Sequence, residues 1–319
     1  MAPLLTEPAP RAPAAVVGAT GFIGSRLVPG LRAAMVPTHA FGRHTPLTPG
    51  GRLADGLREA RTVFYLATRI TPAVAEEHPE LVEADRSAFV GLLKQLGRTG
   101  TRPTVVLTSS GGTAYDPAFP PPYSEESPVR ATSRYGRAKL LLEQELLARA
   151  DVIRPVVLRL ANVYGPGQRS CNGLGVVPHW LEAIADGRPV VVLGDPGTSR
   201  DYVYVDDTVQ ALIRVHLVAS EPGGPGRDAL PSMLNVGSGE PVSLKDLLSV
   251  ITEVVGFEPL VEHRERRSFD RHAAWLDVTR ARSCLGWRPR TPLETGVSEA
   301  WGAMRTDLAR TRPQNFSRR

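Results

Sequence analysis

AAVVGATGFIG, residues 14–24, joins a four-residue apolar run to three glycines spaced by three, and SRLVPGL follows at once. The run AAVV reads as a buried strand and SRLVPGL as a helix. Between them Gly18 permits a tight turn, Gly21 lets backbone N–H groups approach a pyrophosphate, and Gly24 lets helix and strand pack closely. Phosphates would then sit at the helix N-terminus. A glycine triplet by itself marks only a turn; placed after a strand and before a helix, it predicts a dinucleotide-binding α/β unit.

Further along, the apolar runs TVFYLAT (62–68), TVVLTSS (104–110) and PVVLRLANVYG (155–165) alternate with helical patterns around 80–97 and 134–149. Strand and helix in alternation imply a parallel sheet covered on both faces, with ligands at the carboxyl ends of its strands. Ser109, Ser110, Asn162 and Tyr164 fall at such ends. The predicted fold is therefore α/β: a Rossmann-type, doubly wound parallel sheet, with a smaller, mainly C-terminal α/β unit for substrate. No internal repeat or low-complexity segment interrupts the pattern.

The 319 residues carry a formal net charge of +5, but the arginines are scattered singly, with neither a basic block nor basic residues interleaved with aromatics. This argues against a nucleic-acid partner. Cys171 and Cys284 form no CxxC pair, so neither a disulfide framework nor a zinc site is expected. No apolar run approaches the roughly 20 residues of a membrane helix. The start, MAPLLTEPAPRAPAA, is too poor in basic residues and too rich in proline for a signal peptide. Residues 1–12 and 308–319 read as loose tails, and a cytoplasmic location is expected.

SRYGRAK, residues 133–139, holds one of three lysines among 38 basic residues. Tyr135 and Lys139 stand four apart, on one face of a helix. Such a pair is commonly an ordinary surface contact; here it follows a dinucleotide motif. About 20 residues after the glycines, where a ribose-binding acid is usual, HAFGRH places Gly42 and Arg43. An arginine there would pair with a 2′-phosphate that a carboxylate would repel. NADP(H) is therefore preferred over NAD(H), the other reading being a solvated Arg43.

Taken together, GATGFIG, TSSGGTAY, the pair Tyr135 and Lys139, LRLANVYGPGQ, GDPGTSRDYVYVDD, LNVGSGEPVSL and LGWRP resemble the extended short-chain dehydrogenase/reductases. More narrowly they are similar to the branch of nucleotide-sugar epimerases, dehydratases and ketoreductases. The resemblance runs from about Val16 to Trp301. It implies a cofactor unit of residues 13–166 and 201–236 and a nucleotide-sugar unit of residues 167–200 and 237–307. Gly18, Thr20, Gly21, Phe22, Ile23, Gly24, Arg43, Leu66, Ala67 and Thr68 would line the cofactor, bordered by Ser109, itself a packing or capping residue. Tyr135 would be the acid–base residue, its phenol made more acidic by the nearby ammonium of Lys139, which would also hold the nicotinamide ribose. A hydroxyl, Ser110 or Thr113, would hold the reacting carbonyl oxygen. Asn162, Val177, Arg200, Arg267 and Asp270 would bind the nucleotide sugar, and the helices around 80–97 and 134–149 would form a homodimer face.

Dehydratases of this group carry an Asp-Glu pair directly after the catalytic hydroxyl. Here Ser110 precedes Gly111 and Gly112, and Thr113 precedes Ala114, so dehydration is not expected. A 4-epimerase retaining NAD and a 4-ketoreductase consuming NADPH remain, and the Gly42-Arg43 pair favours the reductase. The alanine, proline and arginine excess suggests a GC-rich genome and an antibiotic-type deoxysugar pathway, with a dTDP-4-keto-6-deoxyhexose as substrate. The rival from another class is a non-catalytic NADP sensor, which would be expected to lose the Tyr/Lys pair. Three positions depart from the family pattern: Asp55 is the one weak candidate for the adenine-contacting acid, Asp85 replaces an asparagine, and AYDP replaces VYG.

Overall fold

Four adjoining strands of four residues or more, buried on both faces, build the centre of the molecule, as expected of a parallel sheet sandwiched by helices. The computed structural model describes residues 11–170, 175–221, 230–265 and 273–311. Cys171, Arg267, Asp270 and most of both predicted tails lie outside the described residues. In chain order the elements are β1 (Ala14–Val17), α1 (Gly24–Ala33), β2 (Thr38–Phe41), α2 (Asp55–Arg58), β3 (Thr62–Tyr65), α3 (Pro72–Glu77), α4 (Pro79–Gly97), β4 (Thr104–Ser110), α5 (Gly111–Ala114), α6 (Arg134–Leu147), β5 (Arg154–Leu160) and β6 (Asn162–Tyr164). They continue with α7 (Val176–Ala185), β7 (Val190–Leu193), β8 (Ser199–Arg200), β9 (Tyr202–Tyr204), α8 (Val205–Ser220), β10 (Met233–Val236), β11 (Val242–Ser243), α9 (Leu244–Val255), β12 (Val261–Arg264), β13 (Ala273–Ala274), α10 (Thr279–Leu285) and α11 (Leu293–Thr311).

The main sheet has six strands in the order β10-β5-β4-β3-β1-β2, every pair parallel. One face is covered by α1 and α8 through Leu27, Leu31, Val209 and Leu212, the other by α4 and α6 through Phe89, Leu93, Leu142 and Leu146. In α4 the buried Phe89, Leu92, Leu93 and Leu96 repeat at i, i+3, i+4 and i+7, which turns one stripe inward. This is the doubly wound arrangement, and it brings the carboxyl ends of β1, β3, β4 and β5 to one edge. A third apolar cluster joins α7, β7, β9, α9 and α11. Residues 274–287 return to the first cluster, through Leu276, Leu285 and Trp287.

Two expected elements differ. The run 155–165 is two strands: at Ala161 the chain still donates to Val236 O, but Asn162 N donates to Asp201 O, so β6 leaves the main sheet and pairs with β9. Asp206, which as an acid next to Asp207 reads as the cap of a helix starting at 207, does not precede the helix, because α8 starts at Val205; Asp206 lies in its first turn, favourable to the helix dipole, and pairs with Arg26 at 2.8 Å.

Asp201, 1% exposed, holds the crossing between the two sheets. Its carboxylate accepts from Ser238 N (2.7 Å), Ser238 Oγ (2.7 Å), Gly239 N (3.2 Å) and Leu276 N (3.2 Å). Every donor points inward, so an isosteric amide would turn N–H against N–H. Asp201→Asn is expected to cost about 2 kcal/mol, the scale of a buried polar group left unmatched. A urea midpoint equal to that of the wild type would refute this.

Candidate active site

The Ser133 hydroxyl accepts from Gly136 N at 3.1 Å and starts α6, which puts Tyr135 in the first turn and Lys139 one turn later. Gly136 lets α5 approach: a Cβ there would lie 2.8 Å from Thr113 O. Thr113 is thereby set against the turn that carries Tyr135. Lys139, 5% exposed, places Nζ 5.7 Å from the Tyr135 ring centroid and donates to Thr108 O at 3.4 Å. The two side chains that helical spacing put on one face do lie together.

Their charge states differ from expectation. The ammonium stands over the face of the ring, and burial pushes the Tyr135 phenol up to about 12. Burial also pushes Lys139 down to about 8, against the opposing pull of Asp85 and Glu143. The Tyr135 phenol is therefore protonated at neutral pH, poised to give a proton rather than to take one.

Ser109 turns inward, with its hydroxyl donating to Glu143, so it packs beneath the site and does not line the cofactor edge. Glu143 also pairs with Arg159 at 2.6 Å, both side chains under 5% exposed, and the Arg159 guanidinium lies 4.8 Å from the Tyr115 ring centroid. Tyr115 OH donates to Asn235 Oδ1 at 2.6 Å. This buried polar chain ties α6, β4, β5 and β10 together below Tyr135 and Lys139. Its signal in the sequence was a charged residue inside an apolar strand, Arg159 in PVVLRLA. Ser110 ends β4 half-buried, and its hydroxyl has no hydrogen-bond partner among the described residues. Gly111 has none of that freedom: a Cβ would meet Leu276 Cδ1 at 2.6 Å, whereas one on Gly112 would meet nothing within 4 Å.

The glycine loop fits a dinucleotide. Gly18 has φ +90, and its Cβ would lie 2.8 Å from Ala67 N, so β1 and β3 abut at Gly18, Leu66 and Ala67. A Cβ on Gly24 would lie 2.1 Å from Gly18 O. Around Gly21 the protein presses less, its one near atom being Gly18 O at 3.3 Å, so a bare backbone there leaves room for a ligand. The N-terminus of α1 has no side-chain cap and no acid in its first turn, which leaves N–H donors for a pyrophosphate. Phe22 and Ile23 pack into the third cluster. Thr68 is committed to Asp85, its hydroxyl donating at 2.7 Å. At the end of β2, a Cβ on Gly42 would lie 2.9 Å from the Thr20 methyl, and Arg43 is exposed and makes no ion pair with the described residues.

On the substrate side, Asn162 Nδ2 donates to Asp201 O at 2.9 Å, and Arg200 Nη1 donates to Ser199 O at 2.9 Å. Val177 is only 2% exposed and belongs to the third cluster, so an open site could meet its backbone but not its side chain. A cleft of about 310 Å³ between residues 165–169, α7 and α11 shares only Val177 with the expected ligand residues. Among the described residues no helix is long and apolar enough to cross a membrane.

Residues 14–237 match the NAD dependent epimerase/dehydratase family. The UDP-glucose 4-epimerase of Mycolicibacterium smegmatis is 32% identical over 312 residues, covering 89% of this chain and 96% of the relative. The dTDP-4-dehydro-6-deoxyglucose reductase of Escherichia coli is 26% identical over 310 residues, covering 89% and 95%. The solved structure of MoeE5 in complex with UDP-glucuronic acid and NAD superposes with a TM-score of 0.79 at 28% identity, covering 93% of this chain and all of that one. With the glycine cradle and the Tyr/Lys pair in place, these likenesses make the chain an enzyme of the NAD-dependent epimerase/dehydratase family.

Proposed function

We propose that this enzyme reduces the 4-keto group of a nucleotide-linked deoxyhexose, dTDP-linked, at the expense of NADPH. The observation that carries the reading is the end of β2, where the Thr20 methyl crowds Gly42 in place of an acid and Arg43 stays free of ion pairs with the described residues. A guanidinium so placed suits a 2′-phosphate. Bound NADPH supplies the hydride. Tyr135, neutral at pH 7, gives its proton to the 4-oxygen as charge develops there, and the hydroxyl of Ser110 or Thr113 donates a hydrogen bond to the same atom. The free hydroxyl of Ser110 supports the first choice, and the approach of Thr113 to Gly136 supports the second. Residues 13–166 and 201–236 form the cofactor unit in this reading. Residues 167–200 and 237–307 form the substrate unit, with Asn162, Arg200, Arg267, Asp270 and the backbone at Val177 on the nucleotide sugar.

A second reading, a nucleotide-sugar 4-epimerase retaining NAD, is favoured by the higher identity to the UDP-glucose 4-epimerase than to the reductase. The two part in one assay. A dTDP-4-keto-6-deoxyhexose, generated in place by a dehydratase, is offered with NADPH or NADH and the nicotinamide absorbance followed. Stoichiometric oxidation of NADPH in preference to NADH is the expected result. Arg43→Ala should then raise the KM for NADPH about tenfold, the worth of a charge-assisted contact, with little change for NADH. Isomerisation of UDP-glucose without net oxidation of either cofactor would replace the reductase with the epimerase.

A further inference from the structure

The start of α6 is held by a residue far away in the chain. Among the N–H groups of its first turn, Gly136 N and Arg137 N donate to Ser133, the first to its hydroxyl at 3.1 Å and the second to its carbonyl at 3.0 Å. Arg134 N, one residue before the reacting phenol, donates instead to Glu76 Oε1 at 2.7 Å, across 58 residues of sequence. The other carboxylate oxygen of Glu76 stands 3.2 Å from Arg134 Nε. Glu76 thus grips the first residue of the helix by main chain and side chain together. An acceptor supplied from another element satisfies an orphan N–H as a local cap does, and its negative charge suits the positive end of the helix dipole.

The element that carries Glu76 gives this grip a direction. Glu76 lies in the last turn of α3, whose buried Ala75 joins Ile70 and Ala138 in a small apolar cluster, and Tyr135 and Val74 pack against that cluster. α3 leads straight out of the turn after β3: Thr71, next to Ile70, caps it by accepting from Val74 N at 3.2 Å. The same turn abuts the glycine loop, with Ala67 N 2.8 Å from where a Gly18 Cβ would lie. One short helix therefore runs from the backbone beside the glycine loop to the residue before Tyr135.

We propose that Glu76 is a positioning residue for Tyr135: by holding Arg134 N, its carboxylate sets the place of the phenol relative to the turn after β3. The inference rests on Tyr135 as the proton donor and holds for reduction and epimerisation alike. The N–H contact carries it, because the ion pair joins side chains that are 51% and 34% exposed and is screened by water. Three variants divide the two contacts. Glu76→Gln keeps an acceptor for Arg134 N, Arg134→Ala removes only the guanidinium, and Glu76→Ala removes both contacts.

The full chain, its seven tyrosines labelled with 13C at Cζ, is observed by NMR without cofactor or substrate, Tyr135 being identified by the loss of its signal in Tyr135→Phe. Glu76→Ala should shift the Tyr135 signal, and Glu76→Gln and Arg134→Ala should leave it in place. In turnover of either substrate, Glu76→Ala should lower kcat about tenfold with both KM values within about twofold, short of the roughly hundredfold that a full ångström of misplacement costs. Glu76→Gln should restore kcat. An unmoved Tyr135 signal, a Glu76→Gln variant no better than Glu76→Ala, or a lowered urea midpoint with kcat unchanged overturns the proposal. Because the signal is read without turnover, that failure is separable from failure of the reductase assignment. Full turnover by Tyr135→Phe would overturn the acid assignment and the proposal with it.

Discussion

Tyr135→Phe should lower kcat about a thousandfold, the middle of the range that a positioned general acid contributes, while cofactor affinity stays within about twofold. The phenol lies in the first turn of α6, and burial holds it protonated, up to about 12. Phenylalanine keeps the ring beneath Lys139 and removes only the transferable proton. An effect made only in the transition state reduces kcat and kcat/KM together, so a rise in KM with kcat preserved would point to a binding role and refute the assignment. Cofactor titration of the variant by fluorescence separates the two.

The second large effect belongs to stability. His216 of α8 is fully buried, with Nδ1 2.9 Å from Thr62 Oγ1 at the start of β3, and burial pushes its pKa from 6.5 down to about 4. Between those values the unfolded chain binds a proton that the folded chain refuses. Stability therefore falls as pH is lowered through the window from 6.5 to 4, by about 3 kcal/mol in all, with about 2 kcal/mol gone at pH 5. His216→Gln, which cannot titrate, should flatten this part of the profile in urea unfolding at pH 7 and pH 5. Equal losses in wild type and variant would remove His216 from the account.

The features legible in the sequence are those where the backbone itself sets the demand. Gly18 and Gly24 could be assigned because no Cβ fits beside Ala67 N or Gly18 O, and such constraints write themselves as glycine at fixed spacing. The Tyr135/Lys139 pair was legible for the same reason, since helical periodicity alone puts both on one face. What escaped depends on partners distant in the chain. Ser109 was read as a packing or capping residue, but its partner was not visible in the sequence: Glu143, 34 residues onward on α6, turns it inward. That the Val177 side chain turns into the third cluster follows from how α7 packs, which the sequence does not show. The parting of β5 from β6 hinges on Asp201, nearly 40 residues onward, whose carbonyl captures Asn162. Burial, which pushes the Tyr135 phenol up to about 12, is set by packing across elements and is not carried by spacing.

The contact between Gly111 and Leu276 bears on how this enzyme could acquire a different chemistry. A dehydratase needs its carboxyl pair directly after the catalytic hydroxyl; following Ser110, that means positions 111 and 112. Position 112 is open and would accept a glutamate in one step, but a Cβ at 111 runs into a leucine that is 2% exposed and has little room to retreat. A change at 111 is thus harmful until residue 276 becomes smaller, and shrinking 276 first leaves a cavity under the strand end. Either order passes through a less stable intermediate, so packing under the end of β4 constrains which side chain position 111 can carry.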